Sequence, residues 1–121
     1  MTQRTERLEA GRYNAVMKEH DLTIAAFQQH IKERYYDADA QRGTPGTFMW
    51  LIEEIGELAT TLQKIRGEGG ATSGGHTQRH LEDEFADVMA WLCTLANIND
   101  VDLQKAINQK YLDGDGPSGT K

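Results

Sequence analysis

With 121 residues, of which 38% are hydrophobic, the chain is long enough for one domain with a modest core and too short for a catalytic domain plus a separate binding domain. Its formal net charge of −6 excludes the basic surface that neutralises the phosphates of polymeric DNA or RNA. A small polyphosphate remains a reasonable ligand, because a cation held by carboxylates reverses the local sign of the electric field.

The apolar segments and the cysteine content exclude further classes. Cys93 is the one cysteine of the chain, so neither an intrachain disulfide nor a cysteine-based zinc site is expected. No apolar run approaches the roughly 20 residues of a membrane span, and the N-terminal residues lack the apolar region of a signal peptide. We therefore expect a cytoplasmic protein with no membrane partner.

The N-terminal third is predicted to contain an arm, a helix and a loop. Residues 1–20 are polar and charged, which predicts a loosely docked arm. A first helix is predicted over about 23–38, because capping side chains at Asp21 and Thr23 precede apolar residues three to four positions apart. The glycines and the proline of the polar segment 37–46 predict a connecting loop.

Two longer amphipathic helices follow. The first of them is predicted from near Thr47 to about Ile65, and the second over about 77–97, because apolar residues recur with a 3.6-residue period. Between them, the stretch 67–75 holds five glycines and lacks the Gly-Lys-Ser/Thr ending of a phosphate-binding loop. It therefore predicts a flexible linker that could order over a bound ligand.

The C-terminal part predicts one more helix and a tail. Asn99 or Asp100 is expected to cap a helix over about 101–112, and residues 113–121 are expected to be disordered. No segment alternates like a strand, so the predicted fold is all-α, a helical bundle of four main helices. The apolar faces exceed what so short a monomer can cover, which predicts completion by dimerisation, as a homodimer or a dimer of dimers.

Acidic residues recur at helical spacing on both long helices. The stripes consist of Trp50, Glu54, Glu57 and Thr61 on one helix, and of His80, Glu84, Asp87 and Trp91 on the other. If the two faces meet, four carboxylates converge, and their repulsion and desolvation require cations or protons. Such hard oxygen ligands suit Mg²⁺ or Mn²⁺. The alternative that stays open is two ordinary solvated helix faces.

These residues also carry a resemblance to a known family. The segment Trp50-Leu-Ile-Glu-Glu-Ile-Gly-Glu-Leu58, followed by Glu84-Phe-Ala-Asp87, resembles the Glu-Glu-x-x-Glu and Glu-x-x-Asp signature of MazG-type all-α nucleotide pyrophosphohydrolases. The resemblance runs from about Leu22 to Tyr111, and it implies a MazG-like catalytic domain over 21–112. The implied reaction is cleavage of a nucleoside triphosphate or dNTP between the α- and β-phosphates, for nucleotide-pool house-cleaning.

The resemblance further implies roles for particular residues. Glu54, Glu57, Glu84 and Asp87 would ligate Mg²⁺. Glu53 would orient or deprotonate the attacking water. The metal would neutralise phosphate charge and lower the pKa of a bound water.

Candidate substrate-binding residues lie at two places. Asn108, Lys110 and Tyr111 resemble the family's Asn-x-Lys-Tyr/Phe element, in which the lysine meets substrate phosphate, although a lysine near a helix C-terminus also complements the helix dipole. Trp50 and Trp91 lie on the carboxylate stripes, where an indole could either stack on a nucleobase or pack in the core.

Other functions stay open at this stage. A phosphoribosyl-ATP pyrophosphatase would use the same arrangement of helical carboxylates on another substrate. A non-catalytic helical dimer that binds a nucleotide or a partner protein would be indifferent to magnesium. A ferritin-like di-metal protein is disfavoured, because no Glu-x-x-His pair occurs in the chain.

Overall fold

The computed structural model describes residues 21–65, 77–114 and 116. These residues form helices and turns with no strand among them, which confirms the all-α class. The elements in chain order are α1 (Ile24–Ile65), α2 (Gln78–Ile98), α3 (Leu103–Ile107) and a π-helical segment (Asn108–Leu112). Among the helices described, none has both the length and the apolar character needed to cross a membrane. The predicted arm, the glycine-rich linker and most of the predicted tail lie outside these residues.

Helix α1 begins at the predicted cap. The hydroxyl of Thr23 accepts a hydrogen bond from the backbone N–H of Ala26 at 3.0 Å. One turn further on, the buried side chain of Gln28 donates to Asn97 at 3.0 Å and accepts from the backbone N–H of Leu103 at 3.0 Å. This polar network ties the start of α1 to the end of α2 and to α3.

The predicted loop over 37–46 is wrong, because the chain remains helical almost throughout it. The helix breaks at Gly43, whose φ of 78° and ψ of 176° lie where only glycine is unstrained. Four of the six preceding residues favour a helix despite the polarity of the segment, namely Ala38, Ala40, Gln41 and Arg42. Pro45 falls in the first turn after the break, where its missing N–H costs nothing. We call the segments before and after the break α1a (24–42) and α1b (44–65).

Helix α2 has nearly the predicted bounds and a capping box at its start. The hydroxyl of Thr77 accepts from the backbone N–H of His80 at 3.2 Å, and the His80 ring accepts from the backbone N–H of Thr77 at 3.2 Å. These reciprocal bonds satisfy donors that a helix N-terminus otherwise leaves unpaired. His80 therefore has a structural role in the cap.

The predicted cap of the last helix is wrong. Asp102 caps α3, accepting from the backbone N–H of Lys105 at 3.0 Å. Asp100 instead adopts a positive φ of 55°, a conformation that a short polar side chain tolerates, in the turn that closes α2. From Asn108 the helix widens, and the backbone N–H of Asp113 bonds to the Asn108 carbonyl at 2.8 Å. The predicted helix over 101–112 is thus a short α-helix followed by a π-helix.

The core of the described chain is small. Its fully buried apolar side chains are Ile31, Leu51, Cys93 and Ala96. Several residues predicted to face the core are instead 40–55% exposed, namely Phe48, Ile52, Ile55, Phe85 and Leu92. We call this set the uncovered apolar face. It lies on α1b and α2, where the other described elements leave it exposed.

Candidate functional site

A stacked tryptophan pair lies between α1b and α2 and marks their register. The rings of Trp50 and Trp91 stack with their centroids 5.8 Å apart and their planes 11° from parallel. Trp50 precedes Glu54 by four residues and Trp91 follows Asp87 by four, so each indole lies one helical turn from an acidic residue on its own helix. An antiparallel pairing of the two helices therefore brings both acidic stripes together.

Three carboxylates converge next to this pair. Glu54, Glu84 and Asp87 each offer one carboxylate oxygen, and the three oxygens lie within 4.8 Å of one another. Glu54 and Glu84 are partly buried and Asp87 is exposed. The group, which we call the carboxylate triad, contains three of the four residues expected to ligate a metal.

Glu54 is the most perturbed member of the triad. Among the described residues, its buried Oε2 atom has no hydrogen-bond partner. Burial is the main cause that raises the pKa of Glu54 to about 7. The negative charges of Glu57, Asp87 and Glu84 raise it further, as does a hydrogen bond with Glu57. Glu54 thus lacks the compensation that a buried carboxylate needs when it is ionised.

Asp87 and Glu57 show that the negative charge extends beyond the triad. Burial raises the pKa of Asp87, and the charges of Asp83 and Glu57 raise it further. Glu57 is exposed and stands outside the group of three oxygens, although its charge acts on both Glu54 and Asp87. Glu57 therefore lies at the rim of the site.

The remaining predicted site residues lie around or away from the triad. Glu53 is exposed on α1b, next to Glu54 in sequence and about 100° around the helix from it. Lys110 and Tyr111 are exposed on the π-helical segment, with Asn108 partly buried at its start. That segment packs chiefly against α3. Substrate binding by these three residues stays a prediction.

A second cluster, next to Trp91, includes two residues that the sequence did not reveal. The guanidinium of Arg42 lies over the Trp91 ring, 5.0 Å from its centroid. Arg42 also donates to the buried Asp39 at 3.1 Å and to the hydroxyl of Thr47 at 3.3 Å. Asp39 and Arg42 both fall in the predicted loop over 37–46, and outside a helix a three-residue spacing does not place two side chains on one face. Recognition of the helix formers around them would have placed both side chains on one face.

The donor set of the triad fits a hard divalent cation. Carboxylate oxygens are the ligands that Mg²⁺ and Mn²⁺ prefer, and a cation would supply the partner that Glu54 Oε2 lacks. It would also remove the mutual repulsion that raises the pKa of Glu54. Without a cation, protons bound to the carboxylates compensate the same negative charge only at lower pH.

Comparison with known families bears on the same residues. The family model described as MazG nucleotide pyrophosphohydrolase domain matches residues 44–111, more than half of the chain. The chain belongs to the MazG family. The matched range holds α1b, α2, α3 and all but the last residue of the π-helical segment, and with them the whole carboxylate triad. It excludes α1a, and hence Asp39 and Arg42. No curated protein and no solved structure matches the chain.

Proposed function

We propose that this MazG-family protein is a divalent-metal-dependent nucleoside triphosphate pyrophosphohydrolase. The observation that carries the proposal is the convergence of the Glu54, Glu84 and Asp87 oxygens within 4.8 Å, inside the range that matches the pyrophosphohydrolase family. Water would attack the α-phosphorus, and the bond between this phosphorus and the bridging oxygen would break. The products are a nucleoside monophosphate and pyrophosphate.

The carboxylate triad would hold Mg²⁺ or Mn²⁺, with Glu57 at the rim as a further ligand. When bound, the cation supplies positive charge to the phosphate oxygens and acidifies a coordinated water. Glu53, exposed beside the triad, would accept the proton that the attacking water loses.

Substrate contacts beyond the triad would come from the tryptophans and the C-terminal segment. Trp50 stacks on Trp91, so the pair would form one wall of the nucleobase subsite. Lys110, presented on the π-helical segment, would contact a phosphate, with Asn108 and Tyr111 beside it. π-Helical turns recur at functional sites, which supports this assignment.

A second copy of the chain is the proposed partner. The uncovered apolar face spans the two helices that carry the triad, and exposed clusters of this kind mark interaction surfaces. A homodimer, or a dimer of dimers, would bury this face and enclose the site. No polymeric nucleic acid is included in the proposal, because the chain is acidic.

The direct test is a hydrolysis screen that identifies the products. Ribo- and deoxynucleoside triphosphates, diphosphates and phosphoribosyl-ATP are incubated with Mg²⁺, with Mn²⁺ or with EDTA. The proposal expects pyrophosphate and a monophosphate from a triphosphate, and no product in EDTA. Release of orthophosphate, or hydrolysis that is equal with and without metal, would contradict it. If phosphoribosyl-ATP were hydrolysed in preference to every nucleoside triphosphate, the substrate would be phosphoribosyl-ATP and not a nucleoside triphosphate.

A further inference from the structure

A cavity next to Trp91 has the size and lining of a small-molecule subsite. Its volume is about 260 Å³, slightly below the roughly 300–1,000 Å³ of pockets for drug-sized ligands. The apolar part of its wall comes from both α1a and α2. The lining residues are Ile31, Tyr35, Asp39, Arg42, Ala90, Trp91 and Thr94. An apolar cavity with a few polar groups suits a planar heterocycle.

Along α2, the distance between the cavity and the carboxylate triad suits the length of a nucleotide. Trp91 lies four residues beyond Asp87, and Thr94 lies seven residues beyond it, roughly 10 Å along the helix axis. A group bound between Trp91 and Thr94 is therefore separated from the carboxylates by about two helical turns. A nucleotide has a sugar between its base and its α-phosphate, so its length can bridge the two places.

Asp39 is the unusual group in this cavity. Its side chain is 5% exposed, and one oxygen accepts from Arg42 while Thr94 also hydrogen-bonds the carboxylate. Among the described residues, its buried Oδ2 atom has no hydrogen-bond partner. A carboxylate accepts hydrogen bonds and donates none, so the missing partner must be a donor.

Arg42 occupies the place where a planar ligand would lie. Its guanidinium covers the face of Trp91, and a guanidinium is flat and stacks on aromatic rings. The Arg42 side chain is 28% exposed, so it is the part of the cavity wall with room to turn towards solvent. A shift of Arg42 would uncover both the indole face and the Asp39 carboxylate.

We propose that this cavity receives the nucleobase of the substrate and that Asp39 selects bases with an exocyclic amino group, while Arg42 yields its place over Trp91. The inference rests on the proposed function, since it names the substrate class of that same site. The carboxylate accepts from the amino group of cytosine, adenine or guanine. Uracil and thymine place carbonyl oxygens on both sides of their one N–H, and these oxygens repel an acceptor-only carboxylate.

The experiment measures binding of nucleoside monophosphates by calorimetry. Two matched pairs test the amino group, because dGMP and dIMP differ only by the amino group at C2, and dCMP and dUMP differ by an amino group against a carbonyl at C4 together with the proton at N3. The wild-type chain is expected to bind the amino member of each pair roughly 10- to 100-fold more tightly, as one hydrogen bond to a charged group implies. Equal affinity within both pairs would overturn the proposal.

Asp39→Asn assigns the selectivity to the carboxylate. The amide keeps an acceptor for Arg42 but can also donate, so the preference for the amino member should fall to within about threefold, through tighter binding of dUMP, whose carbonyl accepts from the amide, and weaker binding of dGMP. Asp37→Asn, on the exposed face of the same helix, is the matched control and should keep the preference. A preference that survives Asp39→Asn in full would overturn the assignment.

A second variant tests the proposal even if Asp39→Asn does not fold. Ala90→Leu fills the cavity without touching the carboxylate, and it should abolish binding of all four monophosphates with no drop in the unfolding temperature. Unchanged binding in this folded variant would place the base elsewhere. Trp50 and Trp91 are the only tryptophans, so their fluorescence should change when a ligand displaces Arg42. These readouts need no turnover, so they can fail or succeed separately from the hydrolysis screen.

Discussion

The indole of Trp50 lies against the indole of Trp91, 5.8 Å between centroids and 11° from parallel. The contact occurs at the same axial register of α1b and α2 that brings Glu54 to Glu84 and Asp87. The aromatic pair and the carboxylate triad are therefore two consequences of one helix pairing. Substitutions at either place test both the geometry and the proposed chemistry.

Trp50→Ala is expected to weaken substrate binding. Trp50 supports the Trp91 ring on which the base would stack, and such stacking contributes roughly 1–3 kcal/mol, so KM should rise about 10-fold while kcat changes less. Trp50→Phe keeps an aromatic face and should recover most of the affinity. Steady-state kinetics on the best triphosphate supply the measurement. Equal KM values for wild type and Trp50→Ala would remove Trp50 from the substrate site.

Glu57→Gln should separate activity from stability. The change keeps size and helix propensity but replaces a charged ligand by an amide that binds Mg²⁺ poorly, so activity should fall at least 100-fold. Without metal, the unfolding temperature should stay constant or rise, because one charge next to Glu54 is gone. The stabilisation by Mg²⁺ should shrink. Calorimetric unfolding with and without Mg²⁺ measures both effects.

Glu82→Gln is the matched control for that variant, because Glu82 is exposed on α2 outside the triad. Surface substitutions change stability by about 0.5 kcal/mol or less, so its activity and metal response should match wild type. Near-wild-type pyrophosphate release by Glu57→Gln at limiting magnesium would contradict a role for Glu57 in metal binding.

Glu53→Gln should show the opposite pattern. If Glu53 accepts a proton and is not a ligand, activity should drop by roughly 100-fold or more while Mg²⁺ still raises the unfolding temperature as in wild type. Loss of the magnesium effect together with activity would move Glu53 into the metal site. The two glutamates are thus distinguished by metal-dependent unfolding and not by activity.

The metal-free protein should lose stability as pH rises from about 4.5 to about 7. The pKa of Glu54 is raised from 4.5 to about 7 in the folded chain, so in this window the folded state holds a proton that the unfolded state has lost. Urea unfolding at pH 5 and at pH 7.5 measures the difference in EDTA. Glu54→Gln should show a smaller loss. A wild-type chain that is more stable at pH 7.5 than Glu54→Gln would be inconsistent with the raised pKa.

The uncovered apolar face predicts an oligomer. Wild type should sediment as a dimer or tetramer at micromolar concentration, and Ile52→Glu should shift it towards the 13.6 kDa monomer. Leu22→Glu, at an exposed apolar residue outside this face, should leave the assembly intact. A wild-type chain found as a monomer alone would show that something else covers the face.

Local rules in the sequence determined the bounds of α2 and the cap at the start of α1. The 3.6-residue period of apolar residues identified α2 to within one residue at each end, and the side chain of Thr23 marked the start of α1. The spacing of the acidic residues likewise put carboxylates and tryptophans on shared stripes. These features depend on neighbours within a few positions, so the sequence contains them.

The tertiary structure decided what those stripes contact. Over 37–46 the helix propensity of the residues favours a helix, whereas their polarity favours a loop. The helix continues to Gly43, and Asp39 and Arg42 therefore lie against α2. The sequence indicated four converging acids, but only packing could set which oxygens lie within 4.8 Å, and it left Glu57 at the rim. Burial of Glu54 and Asp39 depends on residues distant in the chain. It is the main cause that raises their pKa values, and an oxygen of each is left without a partner among the described residues.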